Sequence, residues 1–109
     1  MTVHTRPGRD TGHLTQQLPS YVARLEGLAQ ALSGHGLRTR VMTPAGRVPS
    51  LHVVNPAAAG LAEDVYVGRT QDGRWWYWWP WAERIAPGDD TPRAATLIAR
   101  VLAARDQAS

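Results

Sequence analysis

Four histidines, His4, His13, His35 and His52, and the adjacent acids Glu63-Asp64 and Asp89-Asp90 are the residues of this 109-residue chain best suited to hold a metal or move a proton. Their spacing gives them neither task. The histidines fall in a polar N-terminal stretch, a helix start, a helix end and a strand, with none of the paired intervals that aim two ligands at one ion. Neighbouring acids suit the start of a strand at Glu63-Asp64 and the cap of a helix at Asp89-Asp90, rather than an acid facing a base. Cysteine is absent, which excludes thiolate ligands, disulfides and a cysteine nucleophile. There is no nucleophile elbow, phosphate loop or dinucleotide fingerprint. The sequence therefore assigns no catalytic, metal-binding or cofactor-binding residue and no cofactor, and it predicts a protein that is not an enzyme.

What the side chains can do is recognise. All five tryptophans lie within Trp75-Trp76-Tyr77-Trp78-Trp79-Pro80-Trp81. A strand must divide that run between its two faces, because successive side chains alternate. One face can fill a core, and the other presents indole to solvent or to a partner. Every one of the twelve basic residues is arginine and the formal net charge is +3. Arginine in place of lysine, with phenylalanine missing, fits a high-GC codon bias. The guanidinium is nevertheless the cation best suited to stacking on aromatic faces and to bidentate pairing.

The elements that position these residues follow from periodicity. Residues 1–12 are polar and aperiodic and are expected to form a disordered arm, with a single α+β domain over 13–105 and a flexible tail over 106–109. Tyr21, Val22, Leu25, Leu28, Ala29 and Leu32 recur at helical spacing, so Leu14 to Leu32 reads as an amphipathic helix ended by Ser33-Gly34-His35-Gly36. Leu37 to Thr43 and Ser50 to Val54 alternate as a hairpin. A three-residue loop after Thr43 would set Thr39 opposite Leu51 and Arg38 opposite His52, leaving Arg38, Arg40 and His52 on the outer face. Glu63 to Arg69 is a third strand and the tryptophan run a fourth. Pro80 is expected to end pairing or mark an edge, and Ala82 to Gly88 to be a connection. Asp89-Asp90-Thr91-Pro92 starts a second helix, whose buried stripe is Ala94, Leu97, Ile98, Val101 and Leu102.

This order predicts a four-stranded antiparallel meander, α-β-β-β-β-α, with both helices on one face and the other face open. The turn Thr70-Gln71-Asp72-Gly73 decides which tryptophans are open. A three-residue loop, with Gly73 left-handed, puts Trp75, Tyr77, Trp79 and Trp81 inside with Val65 and Val67, and Tyr66, Trp76 and Trp78 outside. A two-residue loop exchanges the two sets. The three-residue form is preferred, because Asp64, Tyr66, Gly68 and Thr70 make a suitable outer face. On that register Tyr66, Trp76, Trp78, Arg38, Arg40 and His52 form one aromatic and basic surface.

Asp72-Gly73-Arg74-Trp75 through Trp79-Pro80-Trp81, followed by Glu83-Arg84-Ile85 and the Asp-capped helix, resembles small actinobacterial proteins to which no activity is assigned. The resemblance spans about residues 20–104 and implies a regulatory accessory role beside helix-turn-helix regulators. A looser similarity is to MbtH-like proteins, which place Trp-Pro at the end of a hairpin before a final helix and bind adenylation domains. The long first helix is extra here, and that family's opening motif is missing. The function expected is that of an adaptor or regulatory protein binding a protein partner, such as a transcriptional regulator, or itself as a homodimer. The alternative is a binder of single-stranded nucleic acid or DNA on the same face. No stretch approaches the ~18 apolar residues of a membrane span, and residues 1–12 lack the apolar run of a signal peptide, so a cytoplasmic location without membrane contact is expected.

Overall fold

Helical spacing at the two ends of the chain and period-two alternation between them produce a two-layer arrangement. The computed structural model describes residues 2–58 and 60–108, with side chains for 18–58 and 60–103. In order the elements are α1 (Thr2–Ser33), β1 (Arg38–Met42), β2 (Ser50–Val54), β3 (Ala62–Arg69), β4 (Trp75–Trp78), β5 (Arg84–Pro87) and α2 (Thr91–Ala108). The strands make one antiparallel sheet in the order β1-β2-β3-β4-β5. The α+β class agrees with the sequence reading, but the meander has five strands rather than four. The expected arm (1–12) and tail (106–109) fall where no side chain is described.

Helix α1 stops where the sequence demands it. Gly36 takes φ +80°, and the amides of Gly36 and Leu37 donate to the carbonyls of Ser33 (3.0 Å) and Leu32 (3.2 Å). This closes a Schellman motif in which buried Leu32 and Leu37 sit together in the core. Both helices cover the same face of the sheet. Leu25, Leu28 and Leu32 of α1, and Ala94, Ala95, Ile98 and Leu102 of α2, pack with Leu51, Val53, Val65, Val67 and Tyr77. Val101, expected in the stripe of α2, is 49% exposed. The stripe is centred on Ala95, Ile98 and Leu102, and three residues beyond Ile98 the helix has turned Val101 past its edge.

Two buried polar groups tie the layers. The Tyr77 hydroxyl donates to the Arg24 carbonyl of α1 (3.2 Å) and lies 3.1 Å from Thr91 Oγ1 at the start of α2. Having one proton, the phenol must accept from Thr91. Asn55 donates through Nδ2 to the Leu102 carbonyl (3.1 Å) and accepts the Ala57 amide (2.9 Å), fixing the β2–β3 loop against α2.

The β1–β2 register differs from expectation by two residues, with Arg40 opposite His52 and Val41 opposite Leu51. The connection is longer than a three-residue loop because Pro49 has no amide for the ladder, so pairing restarts only at Ser50. Its tight turn lies within the loop, with Arg47 donating to Pro44 (3.2 Å) and Gly46 at φ +75°. A shift of two preserves the faces. The β3–β4 turn is the three-residue form expected: Gly73 donates to Thr70, Thr70 donates to Arg74, both at 2.9 Å, and Gly73 has φ +83°.

The stretch expected to be a connection after Pro80 holds β5 instead. Ala82 donates to Trp79 (3.0 Å) and Trp79 donates to Glu83 (2.8 Å), repeating the bonding of the β3–β4 turn. Pro80 therefore occupies the second position of a turn, where its fixed φ fits, and Ala82 takes φ +68° in the place Gly73 holds in the other hairpin. Trp81, expected inside, is 55% exposed. It lies in the turn, stacked on Trp79 at 5.2 Å with 6° between planes, and its indole N–H donates to Glu83 Oε1 at 2.8 Å.

Candidate partner-binding face

The sheet face away from the helices carries every residue the sequence analysis placed there. Arg38, Arg40 and His52 come from β1 and β2, Tyr66 from β3, and Trp76 and Trp78 from β4, with Arg40 opposite His52 and Tyr66 opposite Trp78. Trp75, Tyr77 and Trp79 point the other way. Tyr77 and Trp79 are buried, and Trp75 packs edge-on against Tyr21 of α1 with ring centroids 5.2 Å apart and guanidinium groups of Arg24 and Arg69 at 4.5 and 5.3 Å.

Trp76 and Trp78 are half-buried rather than bare, because arginines the sequence analysis did not place on this face lie over them. Arg84 sits 4.7 Å from the Trp76 ring and 5.6 Å from the Trp78 ring, and Arg74 6.0 Å from Trp76. Each such stack contributes roughly 0.5–1 kcal/mol at an exposed site. Trp78 also donates its indole N–H to the Gly68 carbonyl at 3.4 Å. The ring lies over Gly68, where an added Cβ would stand 3.7 Å from that nitrogen.

Arg84 reaches this face through a bulge. Trp78 pairs with Arg84 and Tyr77 with Ala86, so β5 carries one extra residue, Ile85, between consecutive partners on β4. Arg84 and Ala86 would share a face in a regular strand. The extra residue turns Arg84 outward with Trp78 while Ala86 stays in the core with Tyr77.

Two grooves cross the surface. The one at the β3–β4–β5 end has a volume of about 600 Å³ and is lined by Arg69, Asp72, Arg74, Trp76, Trp78 and Arg84 among others. The other, at the β1–β2–β3 end, is about 440 Å³ and includes Arg40, Arg47, Ser50, His52, Asp64 and Tyr66. In the second, His52 Nδ1 lies 2.7 Å from Asp64 Oδ1 across the strand pair, both half-exposed. Asp72 is exposed, and its carboxyl is held below the ordinary value of 3.8 by the Thr70 hydroxyl and then by the Arg74 amide (3.1 Å). These bonds brace the β3–β4 turn beside the first groove.

Of the histidines considered as ligands, His35 is exposed at the end of α1 and His52 pairs with Asp64, while the side chains of His4 and His13 lie outside the described ones. Among the described residues no three histidine or acidic side chains gather as they would around a metal, and no helix is long and apolar enough to cross a membrane. Comparison with protein-family models, curated proteins and solved structures finds no match.

Proposed function

We propose that this chain is a non-enzymatic adaptor or regulatory protein, acting in the cytoplasm, that binds a protein partner or a second copy of itself through the outer sheet face. The observation that carries this reading is the placement of Trp76 and Trp78, with arginines stacked on them, on the face no helix covers. Tryptophan and arginine are the residues most enriched where interfaces draw their energy. Tyr66, Arg38, Arg40 and His52 extend the same surface. A transcriptional regulator is the class of partner that the resemblance to small actinobacterial proteins implies.

Sedimentation at micromolar concentration tests self-association, and capture of a partner by wild type and by a Trp76→Ala variant tests the face. Loss of the dimer or of the captured partner in the variant is expected, with a cost of about 2 kcal/mol or more for an anchor residue. A monomer whose Trp76→Ala form captures the same proteins as wild type refutes the reading.

A second reading, single-stranded nucleic acid on the same face, is favoured by the interleaving of arginine with aromatic side chains. Neutralising phosphates releases counterions, so such binding weakens steeply as salt rises. Absence of tryptophan quenching by oligonucleotides at low salt removes it.

A further inference from the structure

We propose that the groove at the β3–β4–β5 end of the outer face binds an acidic segment of a partner protein, with carboxylates paired to Arg74 and Arg84 where these lie over Trp76 and Trp78. This rests on the reading of the outer face as a protein interface and names the chemistry of the partner.

Charge is the first ground. The groove has one acid, Asp72, and the guanidinium groups of Arg74 and Arg84 lie over its indoles, whereas Arg69, also in the lining, lays its guanidinium on Trp75 on the other face. Asp72 itself accepts from the Thr70 hydroxyl and the Arg74 amide. No guanidinium of the three lies within salt-bridge distance of a carboxylate among the described residues; Arg74 and Arg84 rest on indole rings, and Arg74 is also attracted by the Asp72 carboxylate beside it. A guanidinium lying on an indole is held in place while its N–H edge remains open to a carboxylate, so part of the ordering cost of pairing is already met.

The same geometry disfavours the other occupants. Bases stack on open aromatic faces, whereas Trp76 carries Arg74 and Arg84, and Trp78 carries Arg84 and commits its N–H to Gly68. A second copy meeting this groove about a two-fold axis would bring the same arginines against one another. A volume of about 600 Å³ falls within the range of sites that hold drug-sized ligands, which suits a short peptide stretch.

The test is isothermal titration of the full chain at low salt with a short blocked peptide alternating glutamate and leucine. The same peptide with lysine for glutamate and a short oligothymidine serve as comparisons. The glutamate peptide alone is expected to bind, more weakly as salt rises. Arg84→Gln and Arg74→Gln are each expected to weaken it roughly tenfold, the loss of one charge-assisted pair. Arg74 lies in an exposed turn, so its variant keeps the test decisive if Arg84→Gln unfolds. No heat from the glutamate peptide at about 1 mM, equal binding by both arginine variants, or tighter binding of oligothymidine each overturns the proposal. If the peptide fails while Trp76→Ala still abolishes capture of a protein partner, this inference falls and the broader interface reading stands. If both fail, both are wrong.

Discussion

Replacing Ala82 with glycine is expected to stabilise the protein by about 0.5–1 kcal/mol, and replacing Gly73 with alanine to cost a similar amount. Both positions close hairpins of the same bonding pattern, and both are left-handed, at φ 68° and 83°. An L-residue with a Cβ pays roughly 1–2 kcal/mol there, and about 0.4–1 kcal/mol of that is offset because glycine gives the unfolded chain more freedom. Packing does not confuse the comparison. A Cβ on Gly73 would meet no atom within 4 Å, and Ala82 is exposed, so little burial is lost with its methyl. Urea unfolding followed by tryptophan fluorescence reads both effects: with a slope of about 1–3 kcal/mol per molar, the midpoints should move in opposite directions by about 0.2–1 M. A lowered midpoint for Ala82→Gly, or an unchanged one for Gly73→Ala, would refute the assignment of these two turns to one backbone solution.

Tyr77→Phe removes the hydroxyl that joins α1, β4 and α2 and should cost about 1–2 kcal/mol in the same assay without loss of the near-ultraviolet tryptophan signal. Gly88→Ala should cost about 1–3 kcal/mol and alter that signal, since the new Cβ would stand 2.6 Å from Trp75 Cβ and 3.1 Å from its carbonyl carbon. The Asp72 carboxyl has a folded pKa below its ordinary value of 3.8, so its contribution is complete above that value and is lost as pH falls through the folded pKa. Asp72→Asn should flatten that part of an acid unfolding curve, and an unchanged acid limb counts against the bracing of the turn by Thr70 and the Arg74 amide.

Most of the architecture was legible because local chemistry and global packing agree. Leucines at 25, 28 and 32 mark the buried side of α1, Gly36 its end, and the Thr70–Gly73 turn the register that sends Trp76 and Trp78 outward. What escaped did so where a residue occupies a role usually given to another. The β4–β5 turn puts alanine at the left-handed position, so the glycine signal that marked its twin was missing, and Pro80 read as a terminator although it occupies a turn position that suits it. In the first hairpin, Pro49 delayed the return of pairing without changing which side chains face outward.

The missed strand is also why the site was only half legible. Alternation along β4 is enough to divide the tryptophans, since it depends on one strand and one turn. The arginine that covers them depends on a second hairpin and on an irregularity within it. If β5 were regular, Arg84 would follow Ala86 into the core, where an unpaired guanidinium is costly. With Ile85 as the extra residue, the same sequence buries Ala86 beside Tyr77 and lays Arg84 across Trp76 and Trp78. The bulge therefore reconciles two needs that alternation alone would set against each other: an apolar inner face, and a cation on the outer one. A bare pair of tryptophans would be an indiscriminate apolar patch; beneath a stacked guanidinium with its N–H edge free, they become a surface that selects for anionic groups. The selectivity proposed for this face thus comes from one inserted residue in a short edge strand, and the tryptophan run supplies the platform on which it acts.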